Sequence, residues 1–202
     1  MRGPRTEHGG GVVSMIFTPD VPAGELTIAE CRQVRLACVA GDALRIRAAA
    51  ERILETNRRR WHGRGDFESF PAIRRWQHFR SSPFATDPSP FELVEQLASG
   101  RRLVVPGAAA ALAAAIMVTS GCPATSHHHD RDLFVTIYAQ AADDLSLAED
   151  LAVTVVEVAG GRVTQRIERT VVIVSAAPQT RQPAAPREAP APVESPVVPT
   201  AA

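Results

Sequence analysis

No charged residue occurs between Leu103 and Ser126, and the first part of that interval, residues 103–118, is apolar apart from Pro106 and Gly107. A segment of this kind has to be kept from water, by the rest of a folded chain or by lipid. Seven of its 16 residues are alanine, which buries little area per residue, so its surroundings must supply the contacts that bulky side chains would otherwise make. The segment also divides the chain by charge. Residues 1–102 hold 16 Arg against 12 Asp and Glu, a net of +4, and the remainder holds 6 against 10, a net of −4. Every basic side chain is Arg. The two halves cancel, so a whole-chain preference for nucleic acid does not follow from charge.

Arg101 and Arg102, the apolar stretch, and then Thr119-Ser120-Gly121-Cys122 together resemble a bacterial lipoprotein signal segment, over residues 101–122 only. In that family a basic region precedes a short apolar region, and small residues lead to a cysteine that is lipidated after cleavage. The resemblance implies Cys122 as the lipidated residue, with Gly121 and Ser120 before it, and residues 122–202 as a tethered product. An uncleaved anchor is the related alternative, with the Arg-rich half left on the cytoplasmic side. Either form places the protein at the membrane or cell envelope. A different reading of the same residues is an Ala-rich buried helix, preceded by a Leu-Val-Val strand and a Pro-Gly turn, in a cytoplasmic protein.

Around this segment the pattern predicts an α+β chain in five parts. Residues 1–24 are rich in Gly and Pro and read as a flexible leader. Residues 25–100 read as a helical region that is also basic and aromatic. Thr27 and Glu30 have capping-box spacing, and Ile28, Cys31, Val34 and Cys38 recur at helical intervals, putting both cysteines on one helix face as small hydrophobes. After Gly41 and an N-cap at Asp42, a second helix runs to about Arg60 with Leu44, Ala48, Ile53 and Leu54 on its apolar side. Ser89, Pro90 and Glu92 mark a third helix start, which closes at Gly100. The apolar segment 101–122 follows. Residues 123–177 read as a small β-rich module: Phe134, Thr136 and Tyr138 alternate with Val135 and Ile137, 141–150 suits a short acidic helix, and Val153–Val158 with Arg162–Val174 flank Gly160-Gly161 as a hairpin. The module is short for an independent core and is expected to pack on the N-terminal region or a partner. From Pro178 onward, seven prolines in 25 residues predict a disordered tail over 178–202.

Three groups of side chains are candidates for function. Arg58, Arg59, Arg60, Arg64, Arg74 and Arg75 alternate with Trp61, Phe67, Phe70 and Trp76, a composition that suits an anionic lipid surface or stacked nucleic-acid bases. The simpler reading makes those aromatics core, because seven of the ten aromatic residues lie between Trp61 and Phe91 and little else is available to build one. His127 and His129 share one face of an extended chain and are metal-capable only with further ligands. Cys122 is the third. No nucleophile elbow, phosphate loop, dinucleotide fingerprint or His-Glu-x-x-His pattern is present, no CxxC pair suggests zinc, and no cofactor is implied. The expected role is that of a non-enzymatic, envelope-associated protein that binds a partner through its β module or Pro-rich tail. The alternative is a cytoplasmic binding or assembly protein that meets nucleic acid or an acidic surface through residues 58–80.

Overall fold

A computed structural model of the chain describes residues 14–17, 26–77 and 88–176. Of the leader only Ser14–Phe17 falls among them, and the tail over 178–202 lies outside them. The fold class is α+β, with the strands spread along the chain rather than gathered at its end. They are β1 (Ser14–Phe17), β2 (Leu26–Val39), β3 (Ala124–His129), β4 (Asp132–Ala139) and β5 (Arg162–Ala176). The helices are α1 (Ala43–Trp61), α2 (Pro71–Arg75), α3 (Pro90–Ala98), α4 (Gly107–Ser120) and α5 (Ala142–Val158). The sheet order is β1-β5-β2-β4-β3. β5, β2, β4 and β3 pair antiparallel and β1 adds parallel to β5. With β2-α1-β3-β4-α5-β5 as the chain order, this is a split β-α-β arrangement, in which α2, α3 and α4 are inserted between α1 and β3.

The first expected helix is instead β2, the central strand. Its residues 31, 34 and 38 are buried at helical intervals for a reason unrelated to helices. Cys31 and Gln33 are buried on one face of the strand, then Val34, Leu36 and Cys38 on the other. Cys31 joins a small cluster with Trp76, Tyr138, Val171 and Ile173, whereas Cys38 belongs to the main core under the helices. A strand covered first on one side and then on the other mimics a period near 3.6. The two cysteines therefore lie on opposite faces. Because β2 pairs with both β4 and β5, residues 123–177 do not form a separate module; their sheet is completed by the N-terminal half.

The second correction concerns Val153–Val158. These residues are the last turns of α5, where Leu145, Ala148, Ala152, Val155 and Val156 form the buried stripe. Tertiary packing overrides their β-branched preference. Gly160-Gly161 thus joins a helix to a strand, and the expected hairpin of Val153–Val158 with Arg162–Val174 does not exist. The hairpin of this region is β3–β4, closed by Asp130 and Arg131, with Asp130 at φ 53°.

Helix starts read from chemistry agree with the structure. The Asp42 carboxylate accepts the Leu44 N–H at 2.8 Å, and Ser89 with Glu92 forms the reciprocal capping box ahead of Pro90. The apolar face of α1 is rotated from the expected one. Ile46, Ala50, Leu54, Asn57 and Trp61 are buried, and Leu44 is 78% exposed.

The Ala-rich segment is α4, and Ala111–Val118 are all buried. Helices α1, α3 and α5 and strand β3 surround it, and small side chains let those neighbours approach closely. A helix apolar on every side needs an environment of this type. It is anchored by polar atoms as well: buried Asn57 donates through Nδ2 to Ile53 O and to Thr119 Oγ1, and Trp61 Nε1 donates to Val118 O at 3.3 Å. The expected Leu-Val-Val strand before it is absent; residues 103–105 carry no regular structure. No helix among the described residues is long and apolar enough to cross a membrane, so α4 does not fit the uncleaved-anchor expectation.

Candidate functional site

Among the described residues strand β3 ends the sheet, and no described strand lies beside its outer backbone groups. Tyr138 N–H donates to Pro123 O at 2.9 Å, so residues 123 and 138 form a hydrogen-bonded pair of the antiparallel ladder. Such pairs alternate with non-bonded ones. Thr125, His127 and His129 therefore bond to β4, and Ala124, Ser126 and His128 turn their N–H and C=O groups outward. No backbone hydrogen bond from another described element reaches those groups. Natural edges are usually blunted by proline, a bulge or charge; along β3 none of these occurs at an outward-facing position.

An apolar groove of about 340 Å³ runs beside this edge. Leu93, Val105, Pro106, Ala110, Met117 and Ala124 contribute to its walls, with Val104 at the rim 92% exposed. The alanines of α4 leave the groove room, and the segment 103–106 forms its outer lip. An extended peptide laid along β3 would direct every second side chain toward the helices, which is where the groove opens.

A second cleft, of about 530 Å³, lies between α1, α3 and residues 102–103, lined by Glu51, Leu54, Glu55, Arg58, Leu97, Arg102 and Leu103. Hydrogen bonds from Arg58 and Arg59 hold the Glu55 carboxyl down at about 2. It therefore presents fixed negative charge rather than a transferable proton at neutral pH. The cleft combines both signs of charge and favours no single class of ligand.

The side chains singled out from the sequence do not converge. Trp61 and Trp76 are each 2% exposed and serve as core. Arg58 and Arg59 are occupied by Glu55, Arg64 by Asp66 and Arg75 by Asp144, while Arg60 lies over the Trp61 ring. Arg74 is exposed on α2. Within residues 58–77 the two tryptophans are thus core and Arg58, Arg59, Arg64 and Arg75 are paired within the fold; residues 78–80 of the stretch lie outside the described residues. His127 and His129 do share a face. His127 stacks on Phe134 with ring centroids 5.3 Å apart, and no group of three metal-capable residues occurs among the described ones.

Cys122 is fully buried between α4 and β3. Gly121, at φ 72°, ends α4 in the left-handed conformation, and an added Cβ would stand 2.8 Å from that of Ala72. The small residues before Cys122 are therefore also what this helix end requires. Cleavage before Cys122 would separate the central strand β2 from β4 and β5.

Compared with protein-family models, curated proteins and solved structures, the chain matches none. The site residues that sequence reasoning missed are those of the β3 edge and its groove. Their signal was the His129-Asp130-Arg131-Asp132 turn, which has no glycine to announce it.

Burial pushes the Cys31 thiol up to about 12, Cys38 to about 11 and Cys122 to about 12. We expect all three to resist a thiol-specific disulfide reagent at pH 8 in the native protein and to react promptly once unfolded. An acid whose folded pKa is raised contributes stability below its unfolded value of 9.0 that is lost as pH rises toward the folded one. Thermal unfolding should therefore shift down between about pH 9 and 12. A native thiol titrating as readily as free cysteine would show that the core described around it is not closed.

Proposed function

We propose that this chain is a non-enzymatic binding protein that captures an extended, apolar segment of a protein partner by strand addition at β3. The observation that carries the reading is the coincidence of free backbone groups on Ala124, Ser126 and His128 with an apolar groove on the side where alternate side chains of an added strand would enter. Backbone bonds supply affinity in such complexes, and the pockets select side chains. The favoured partner sequence alternates aliphatic residues facing the groove with polar ones facing away. A folded chain presents this edge whether it is tethered to a membrane or free, so the reading requires no lipid at Cys122.

Selection from a random display library of peptides tests it. Wild-type chain should enrich sequences with aliphatic side chains at every second position. Ser126→Pro removes an outward N–H and no bond to β4, and proline is tolerated on edge strands; Ala110→Trp fills the groove from a half-buried position. Each should weaken a selected peptide by roughly tenfold or more, since one well-seated apolar anchor is worth about that much. Removing residues 178–202 should leave binding unchanged. Failure to enrich any alternating motif, or indifference to both substitutions, defeats the proposal. A dimer that Ser126→Pro abolishes would make the natural occupant a second copy of β3 instead.

A further inference from the structure

We infer that the helix-free face of the sheet is a binding surface for single-stranded nucleic acid. Among the described residues, α1, α3, α4 and α5 cover one side, and on the other side Gln33 and Tyr138 are themselves buried near the end capped by Trp76. Register and alternation put Arg35 and Gln33 of β2, Phe134, Thr136 and Tyr138 of β4, His127 of β3, and Arg162, Ile167 and Arg169 of β5 on the other. Two contacts confirm the assignment: Gln33 Nε2 donates to Tyr138 Oη at 2.9 Å, and the His127 and Phe134 rings stack. At the end where β2 and β5 run beyond β4, Trp76 packs on this face against Cys31 and Val171. Farther along, Phe134 and Ile167 belong to neither buried cluster and remain partly exposed.

Charge decides which occupant this surface suits. Arg35, Arg162 and Arg169 are exposed, and none makes an ion pair or hydrogen bond through its side chain with a described residue. The acids of the same strands lie elsewhere: Glu30 and Glu168 sit on the opposite face by register, where Glu168 pairs with Arg32 and Arg166. Asp132, at the hairpin end beside His129, is the one carboxylate that alternation places on this side. Arg32 and Arg166, on the opposite face of the same strands, are paired with carboxylates, and these three are not. A second copy docked face to face would oppose Arg35 and Arg169 with their like, which costs energy. A polyanion is attracted to them instead, and the exposed His127–Phe134 stack offers a platform for an unpaired base. A duplex, whose bases are hidden, can use the arginines alone.

Fluorescence anisotropy with a mixed-sequence DNA strand of roughly 12 nucleotides, within the usual site size for such platforms, reads the inference directly. Binding should be saturable and should weaken with salt with a slope of about −2 on logarithmic axes, the value for three phosphate contacts to a single strand. Arg35→Gln with Arg162→Gln and Arg169→Gln should weaken it roughly tenfold or more. Phe134→Leu, which keeps an apolar side chain, should weaken it about fivefold or more through lost stacking. Arg58→Gln with Arg59→Gln, and separately Ser126→Pro, should leave it unchanged; the latter keeps this surface distinct from the peptide edge. Ultraviolet crosslinking of the unaltered chain should map to peptides containing His127 or Phe134, which covers the case of a variant that does not fold. No saturable binding, equal affinity for duplex, displacement by a sulfated polysaccharide with no effect of Phe134→Leu, or crosslinks confined to residues 58–75 would each overturn it.

Discussion

Gly161→Ala should destabilise the protein by about 3 kcal/mol, the upper range for forcing a methyl into filled space, whereas Gly160→Ala one position earlier should cost about 1 kcal/mol. The difference comes from where each added carbon would stand. A Cβ on Gly161 meets Val39 O at 2.4 Å, Val156 Cγ1 at 2.8 Å and Ala40 O at 2.9 Å, so two of its three nearest contacts are backbone that cannot swing aside. A Cβ on Gly160 meets nothing within 4 Å and costs only the strain of its φ of 79°. The corner works by reciprocity. Gly41, at φ 68°, closes the other side, with its own added Cβ 2.5 Å from Gly161 N, and Asp42 N–H donates to Ala159 O at 3.0 Å. The exit of β2 and the turn from α5 into β5 thus touch backbone to backbone. Urea unfolding of the two variants, treated as two-state, checks the prediction. Equal midpoints would mean that Gly160-Gly161 is an exposed turn and that β2 does not pass beside it.

The same pair of glycines shows what the sequence disclosed and what it hid. Two adjacent glycines between Val-rich runs imply a hairpin when only local rules are available. What fixes α5 as a helix up to Val158 is the spacing of Leu145, Ala148, Ala152 and Val155 against α4, a fact about a neighbour far away in the chain. Local chemistry succeeded where it acts locally: the Asp42 and Ser89 caps, the alternation of Phe134, Val135, Thr136 and Ile137, and the α+β class. It failed at β2, where burial that changes faces between Gln33 and Val34 imitates a helical stripe. The alanine of α4 was legible as a shielding problem, and only tertiary structure showed that α1, α3, α5 and β3 supply the shield. The candidate site was the least legible part. A free edge depends on sheet order, and an unpaired arginine is defined by carboxylates that point to the other face.

Trp61→Ala should lower stability by about 3–5 kcal/mol, the range for removing a large buried aromatic, while Arg58→Gln with Arg59→Gln should barely move the unfolding midpoint. Trp61 is 2% exposed at the last turn of α1. Its ring meets Phe70 edge-on at a centroid separation of 4.7 Å, and its Nε1–H reaches Val118 O on α4. The tryptophan therefore ties α1, the α2 segment and the Ala-rich helix together, and truncation leaves a cavity plus a buried carbonyl without its donor. Trp61→Phe should fall between, keeping most of the ring while losing the hydrogen bond. The arginines one helical turn away pair with Glu55 at the surface, where water and salt screen the interaction. The contrast decides what the basic-aromatic stretch is for. If it were a recognition surface, removing the charges would abolish binding and removing the ring would leave the fold intact. If the ring is core, thermal unfolding of Trp61→Ala drops steeply and the doubly substituted arginine variant melts with the parent. A Trp61→Ala chain as stable as the original would return this stretch to the list of binding surfaces and take a central support from α4.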